Sequence, residues 1–166
     1  MAGYTFEAVG HLFHYFGFSM AIGGSIAALK SHKKARTLES DQKLATESMA
    51  ADIVTKVELP GLFIALLGGV LLVIHNPLVF KASSDDPLAG PGPWLHIKLT
   101  LVLALFVIAH LKMFRSRKAV RERAAGATES ECNSLSNKAI SFGKICQSLY
   151  GLIFVIATFR YVFFRG

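Results

Sequence analysis

The residues of this chain that are best suited to chemistry are its histidines, of which the sequence has six. Four of them are predicted to gather at one membrane face, from three different helices: His11, His14, His75 and His96. Neutral imidazole is a good axial ligand for haem iron, and clustered imidazoles also bind copper or zinc. We therefore expect a haem or metal site at that face, with His14 as the strongest candidate ligand.

His14 lies on a stripe of small residues within the uncharged run Val9 to Leu29. The stripe consists of Gly10, His14, Gly17, Ala21, Gly24 and Ala28. Spacings of four and three place these residues on one helix face, and small-residue faces in membranes pack against other helices. His14 is thus predicted to face a protein interior, where an intramembrane histidine is a functional-site candidate. Gly17 could make room for a haem ring, or the stripe could serve helix packing alone.

The other histidines are weaker candidates. His11, His75 and His96 could be interfacial residues whose rings are satisfied by water or backbone carbonyls, and we favour that interpretation over direct metal ligation. His110 lies near the inner end of its helix, on roughly the face of His96 and about 21 Å along the axis. For His110 the two interpretations are equally good. His32 is predicted to be a solvated loop residue.

Two basic residues could assist a cofactor. Lys98 lies about 200° round the helix from His96, so both cannot face one pocket in a straight helix. Either Lys98 extends its charge to the interface, or it points into the bundle as a candidate catalytic residue and offers a cation to an anionic substrate or haem propionate. Arg160 is a second candidate propionate partner, or an interfacial anchor.

These residues must be positioned by membrane helices. The chain has 166 residues, of which 52% are apolar, and four hydrophobic segments. We predict an all-α integral membrane protein: a single domain, 1–166, with helices at about 9–29, 55–80, 94–118 and 140–163. Short connections favour an up-down-up-down four-helix bundle. Pro60 could kink the second helix, which 44–58 is predicted to extend inward. Residues 115–125 could continue the third helix, and the charge of Lys112 is expected to reach the interface. The stretch 124–137 is predicted to be a polar loop.

The basic residues behind the net charge of +7 are distributed in a way that predicts the membrane topology. Basic residues concentrate in 30–43 and 112–138, whereas the connection between the second and third segments has only Lys81 against Asp85 and Asp86. Because basic loops stay in the cytoplasm, both termini are predicted to lie on the outer side. The lipid bilayer is therefore the predicted partner, and nucleic acid is not. A disulfide between Cys132 and Cys146 is not expected in cytoplasmic surroundings.

Three stretches resemble a known family. They are H-Y-F-G-F-S-M-A-I-G-G from His14 to Gly24, E-L-P-G-L-F-I-A-L-L-G-G from Glu58 to Gly69, and W-L-H-I-K-L-T-L-V-L from Trp94 to Leu103. They are similar to the HemJ-type protoporphyrinogen oxidases and the related CopD-like membrane proteins. The matching positions are His14 with Gly24, Pro60 with Gly68, Trp94 with His96 and Lys98, and the later His110. The W-L-H-x-K-L match is the most specific.

The resemblance implies haem b within the bundle, with His14 as a ligand. It further implies oxidation of protoporphyrinogen IX to protoporphyrin IX, with electrons passed to quinone, in a bacterial-type inner (cytoplasmic) membrane. Two alternatives stay open. One is a non-catalytic or electron-relay haem subunit of a larger membrane complex, and the other is a CopD-like copper transport protein that uses the outer histidines. Other membrane subunits or a second copy of the chain are open as partners.

Overall fold

The computed structural model describes residues 2–75 and 93–163, with side chains described for 6–74 and 96–159, and within these ranges the protein is helical except at the connections 36–39 and 125–128. Helix α1 spans Ala2–Ala35 and α2 spans Ser40–Ile53. A π-helical turn, Val54–Glu58, leads into α3, Leu59–His75. Helices α4 and α5 span Pro93–Ala124 and Glu129–Phe163. The predicted all-α class is confirmed.

Four helical rods, α1, α2 with α3, α4 and α5, are each long and apolar enough to cross a membrane. Each described rod is longer than its predicted span, because polar turns continue the helix beyond the apolar stretch. The predicted extension of the second helix over 44–58 is helical, and the rod begins still earlier, at Ser40. Its predicted end, 76–80, lies outside the described residues. The chain is therefore a multi-pass membrane protein with four candidate spans.

The predicted polar loop at 124–137 is wrong, because α5 begins at Glu129. Thr128 and Glu131 form a capping box: the Glu131 backbone N–H donates to Thr128 Oγ1 at 3.4 Å, and the Thr128 N–H donates to Glu131 Oε2 at 3.3 Å. Such reciprocal bonds satisfy the free N–H groups of the first turn. Gly126, at φ +78°, ends α4 in the left-handed conformation that favours glycine. Only 125–128 separate the two helices.

The π turn lies directly before Pro60. The Leu59 N–H bonds to the Val54 carbonyl, five residues back, so this turn is wider than an α-helical one. Pro60 has no N–H, and its ring would press on the preceding turn of a regular helix. The wider turn gives that ring space, and it inserts one residue into the α2–α3 rod at Glu58.

Helix α1 packs on α3 through the predicted small-residue stripe. A Cβ on Gly17 would lie 2.2 Å from the Ala65 nitrogen, and one on Gly68 would lie 2.3 Å from the His14 nitrogen. A Cβ on Gly24 would lie 2.9 Å from the Glu58 nitrogen. These distances are too short for any side chain, so the two backbones are in direct contact. Helix packing therefore explains the stripe.

The bundle has two dissimilar halves. The connection half surrounds the connections 36–39 and 125–128, and its helices bury alanines, serines and charged residues. The far half consists of 6–16, 69–74, 96–104 and 154–159. Among these described side chains, Gly10 alone is buried. Between the halves lies an apolar core that includes Ala21, Leu62, Leu105 and Ile153.

Candidate functional site

His14 lies at the border of the far half and is held by one hydrogen bond across the α1–α3 contact. Its Nδ1 is 2.8 Å from the Ala65 carbonyl oxygen, and because a carbonyl only accepts, Nδ1 carries the proton. The other ring nitrogen, Nε2, therefore keeps its lone pair. The ring is half-buried and packs near Gly69, where an added Cβ would lie 3.4 Å from Nδ1. The bond thus fixes the ring in an orientation in which Nε2 is the nitrogen that could bind a metal.

The other predicted histidines have more ordinary surroundings. His11 is exposed, stacks on Tyr15 with ring centroids 5.8 Å apart, and lies 3.8 Å from Glu7 of its own helix. His96 is exposed. His110 donates from Nδ1 to the Phe106 carbonyl of its own helix at 2.8 Å. His11 is therefore the one of these three whose ring shares a neighbour with His14, since both rings lie against Tyr15. The hydrogen bond of His110 and the exposure of His96 give neither a described contact with His14.

Two further predicted residues are His75 in α3 and Arg160 in α5, and their side chains lie outside the described ones. Their roles as metal ligand and propionate partner stay predictions. Lys98 is half-buried, whereas His96 is exposed. Of these two residues, which cannot share one pocket, Lys98 is thus the more enclosed in the bundle. Gly17 lies in the α1–α3 contact, whose closeness accounts for its size.

A buried ionic cluster lies deeper in the bundle, at the π turn. Lys112 Nζ is 2.6 Å from Glu58 Oε2 and 3.2 Å from Ser25 Oγ, and all three residues have no exposed surface. Lys112 was expected to extend its charge to the interface, which is wrong. In a low-dielectric interior an ammonium group needs a carboxylate partner, and Glu58 provides one. These charges join α1, the α2–α3 rod and α4.

A second polar layer lies one turn further towards the connections. His32 Nε2 is 2.9 Å from Ser116 Oγ, and His32 is only 1% exposed. The prediction that His32 is a solvated loop residue is therefore wrong. Helix α1 continues to Ala35, and this continuation turns His32 towards α4. Ser116 follows Lys112 by one helical turn, so the two layers are stacked along α4.

The connection half ends in an ion-pair network at its surface. Arg123 Nε is 2.8 Å from Glu47 Oε2, and Arg123 Nη1 is 2.6 Å from Glu129 Oε2. Lys43 Nζ also pairs with Glu129 Oε1 and donates to Asn133 Oδ1 at 3.0 Å. Arg123 and Glu47 are almost fully buried, whereas the Glu129 side chain is 61% exposed. The network thus links buried charge to the aqueous surface.

Helix α5 contributes a buried polar face that the sequence reading missed. The Tyr150 ring packs edge-on against Phe18 at 5.6 Å between centroids, and Cys146 is buried one turn along. Gly143, one turn from Cys146, lies against the ionic cluster, since an added Cβ there would be 3.7 Å from Lys112 Cε. The face comprises Cys132, Ser136, Ala139, Gly143, Cys146, Tyr150 and Ile153. The same spacings of four and three that marked α1 would have identified it.

The described residues form no candidate metal cluster, and the comparisons with known proteins identify no relative. In the part of the chain that the structure describes, no three His, Cys, Asp or Glu side chains form a group that could hold a metal ion. Both Cys132 and Cys146 are free thiols, in agreement with the sequence. Comparisons with protein-family models, curated proteins and solved structures find no match. The family resemblance therefore stays a prediction.

Proposed function

We propose that this chain is a haem b protein that uses His14 as an axial ligand and acts as an oxidoreductase of the HemJ type on a tetrapyrrole. The observation that carries the proposal is the fixed tautomer of His14. Histidines that ligate metals almost always donate their other ring N–H to a carbonyl or carboxylate. The Nδ1–H of His14 does so to Ala65 at 2.8 Å, which leaves Nε2 as the donor atom for iron.

The packing of the far half supports a large planar group beside His14. From 96 to 104 on α4, and from 154 to 159 on α5, no described side chain is buried. A membrane bundle that lacks a protein core at one end can accommodate a cofactor between its helices. The ring cannot lie between α1 and α3, since Gly17 and Gly68 bring those backbones into contact. It would have to lie on the side of His14 that faces α4 and α5.

Lys98 supports the same proposal through its charge. A haem carries two propionates, and a cation near the axial ligand offsets one of them within a low-dielectric environment. Lys98 is half-buried within the far half, so its ammonium group would hold a propionate or another anionic group there. Arg160 keeps its proposed role as a second partner. Haem b, when bound, would supply an iron that takes up and releases one electron at a time.

The proposed orientation follows from the charges. Both basic connections would face the cytoplasm and both termini the outer side, in an up-down-up-down bundle of a bacterial-type inner membrane. His14 and the far half would then lie in the outer leaflet, and the buried ionic cluster in the inner one. Electrons would pass to a quinone, which dissolves in the membrane.

The absorption spectrum of the purified protein in detergent tests the haem. We expect a Soret band and a b-type spectrum on reduction in the parent chain. His14→Ala should abolish both, whereas His11→Ala should keep both, because His11 is exposed and contacts its own helix. Circular dichroism checks that His14→Ala remains helical. A colourless parent with stoichiometric copper, or an unchanged band in His14→Ala, would overturn the proposal.

Activity needs a separate measurement. Added protoporphyrinogen IX should be converted to fluorescent protoporphyrin IX by the parent chain with a quinone as acceptor, and not by His14→Ala. If the protein keeps its haem but leaves protoporphyrinogen unchanged, the enzymatic half of the proposal is wrong. The electron-relay subunit would then be the better interpretation.

A further inference from the structure

The connection half contains a column of buried polar side chains that neither the haem nor helix packing requires. It begins at Tyr150 and Cys146, continues through the ionic cluster of Glu58, Lys112 and Ser25, and then through the layer of His32 and Ser116. Ser136 and the Arg123 network complete it at the surface. On α5 alone, Tyr150 and Ser136 are about 21 Å apart along the axis. The column thus extends from the bundle centre to water.

The column also holds unused hydrogen-bonding capacity. Within the described side chains, four buried polar atoms have no protein partner: His32 Nδ1, Glu58 Oε1, Ser136 Oγ and Tyr150 Oη. The four residues are at most 2% exposed. All four belong to this one column. Buried polar groups are normally paired, and buried water is the usual partner where protein supplies none.

We infer that this column is a hydrated proton path between the connection-end surface and the centre of the bundle. Along it, waters, hydroxyls, the His32 imidazole and the Glu58 carboxylate would each accept a proton on one side and release one on the other, so that the chain of groups is left unchanged. Lys112 and Arg123 have no acceptor site, so they keep their charges and orient these groups. The exposed Glu129 marks its aqueous end, and Tyr150 marks its inner end. Waters at the four unpartnered atoms would bridge the layers that side chains alone leave separate.

The position of Tyr150, the inner end of the path, suggests which protons the path would carry. This part of the inference rests on the proposed function. Tyr150 packs on Phe18, which follows His14 by one helical turn. Oxidation of a tetrapyrrole, or reduction of a quinone, moves protons together with electrons. The path ends at Tyr150, beside Phe18, and Phe18 is one turn from the proposed haem ligand. It would exchange those protons with the cytoplasmic side. The path itself can be tested without any haem.

Cys146 is a native reporter inside the column, because thiol S–H stretching falls in an otherwise empty region of the infrared spectrum. The chain has only two cysteines, so Cys132→Ala leaves a single thiol. The protein, in lipid bilayers and without added haem, is transferred to D₂O. We expect the S–H band of Cys146 to disappear while the amide II band of the membrane helices largely persists. The amide band reports helix opening in the same spectrum.

Two variants interrupt the path without burying a charge. Ser116→Ala and Ser136→Ala each remove a hydroxyl that orders water, and each should slow S–H exchange by about tenfold. The matched controls are Ser141→Ala and Ser148→Ala, exposed serines of α5 that bond to their own helix. These should exchange at the parent rate.

Two results would overturn the inference. One is an S–H band that decays no faster than amide II, which would mean that only helix opening admits water. The other is rapid exchange that Ser116→Ala and Ser136→Ala leave unchanged, which would mean that water reaches Cys146 by another route. If Cys132→Ala does not fold, the parent chain and Cys146→Ala give the Cys146 band by difference. None of these outcomes depends on haem binding.

Discussion

The two halves of this bundle bury their residues in opposite ways. The connection half is packed with small residues and holds charges that are paired in its interior, such as Glu58 with Lys112. The far half has the more apolar helices, yet apart from Gly10 it buries none of its described side chains. Hydrophobicity alone therefore does not make a core in a membrane, since lipid solvates leucine as well as a neighbouring helix does.

This difference assigns the two halves different tasks. A buried ion pair contributes little net stability relative to apolar residues, but it penalises any arrangement in which one charge loses its partner. The Glu58–Lys112 pair and the Arg123 network therefore fix the register of the four rods. Among the described residues of the far half, the constraint that the structure shows is the α1–α3 backbone contact, which leaves the other side of His14 for the proposed cofactor.

The largest expected effect comes from breaking the ion pair. Lys112→Met would leave the Glu58 carboxylate without its ammonium partner, and removing one member of a buried pair costs about 3–5 kcal/mol. We expect this loss in the free energy of unfolding, measured by titration with denaturing detergent. The double variant Glu58→Leu/Lys112→Met should recover most of it, because neither charge then remains. A single variant as stable as the parent would show that the pair does not hold the connection half together.

The sequence could predict the apolar spans and the α1–α3 contact, because both depend on local spacing and composition. It did not predict the ionic cluster. Lys112 and His32 were assigned to the interface and a loop, since hydropathy scores each charge alone and cannot include a partner on another helix. Glu58 faces Lys112 through a π turn, which no spacing rule anticipates. The fixed tautomer of His14 likewise depends on the Ala65 carbonyl, a backbone group whose position only the packed structure gives.

Two leucines of α4 allow the packing of the two regions to be compared directly. Leu105 is 1% exposed, whereas Leu101, one turn into the far half, is only half-buried. Leu105→Ala should lower the free energy of unfolding by about 2–5 kcal/mol, because it leaves a cavity in a filled core. Leu101→Ala should cost less than about 1 kcal/mol in the haem-free protein, because lipid or solvent fills the space. Equal losses would mean that the far half is packed as tightly as the centre.

The α1–α3 contact extends through both halves, and substitutions in it should destabilise the protein less than Lys112→Met or Leu105→Ala. Gly17→Ala would put a Cβ 2.2 Å from the Ala65 nitrogen, so the helices must separate, and overpacking of this kind costs about 1–3 kcal/mol. Gly68→Ala, next to the far half, should lower the free energy of unfolding by a similar amount. It should also lengthen the hydrogen bond between His14 and Ala65. Gly23→Ala is the control, since no atom beyond its own stretch of helix lies within 4 Å of its added Cβ. If Gly68→Ala is neutral while Gly17→Ala is not, the far half gives way at this contact too, and His14 is held less firmly than its 2.8 Å bond suggests.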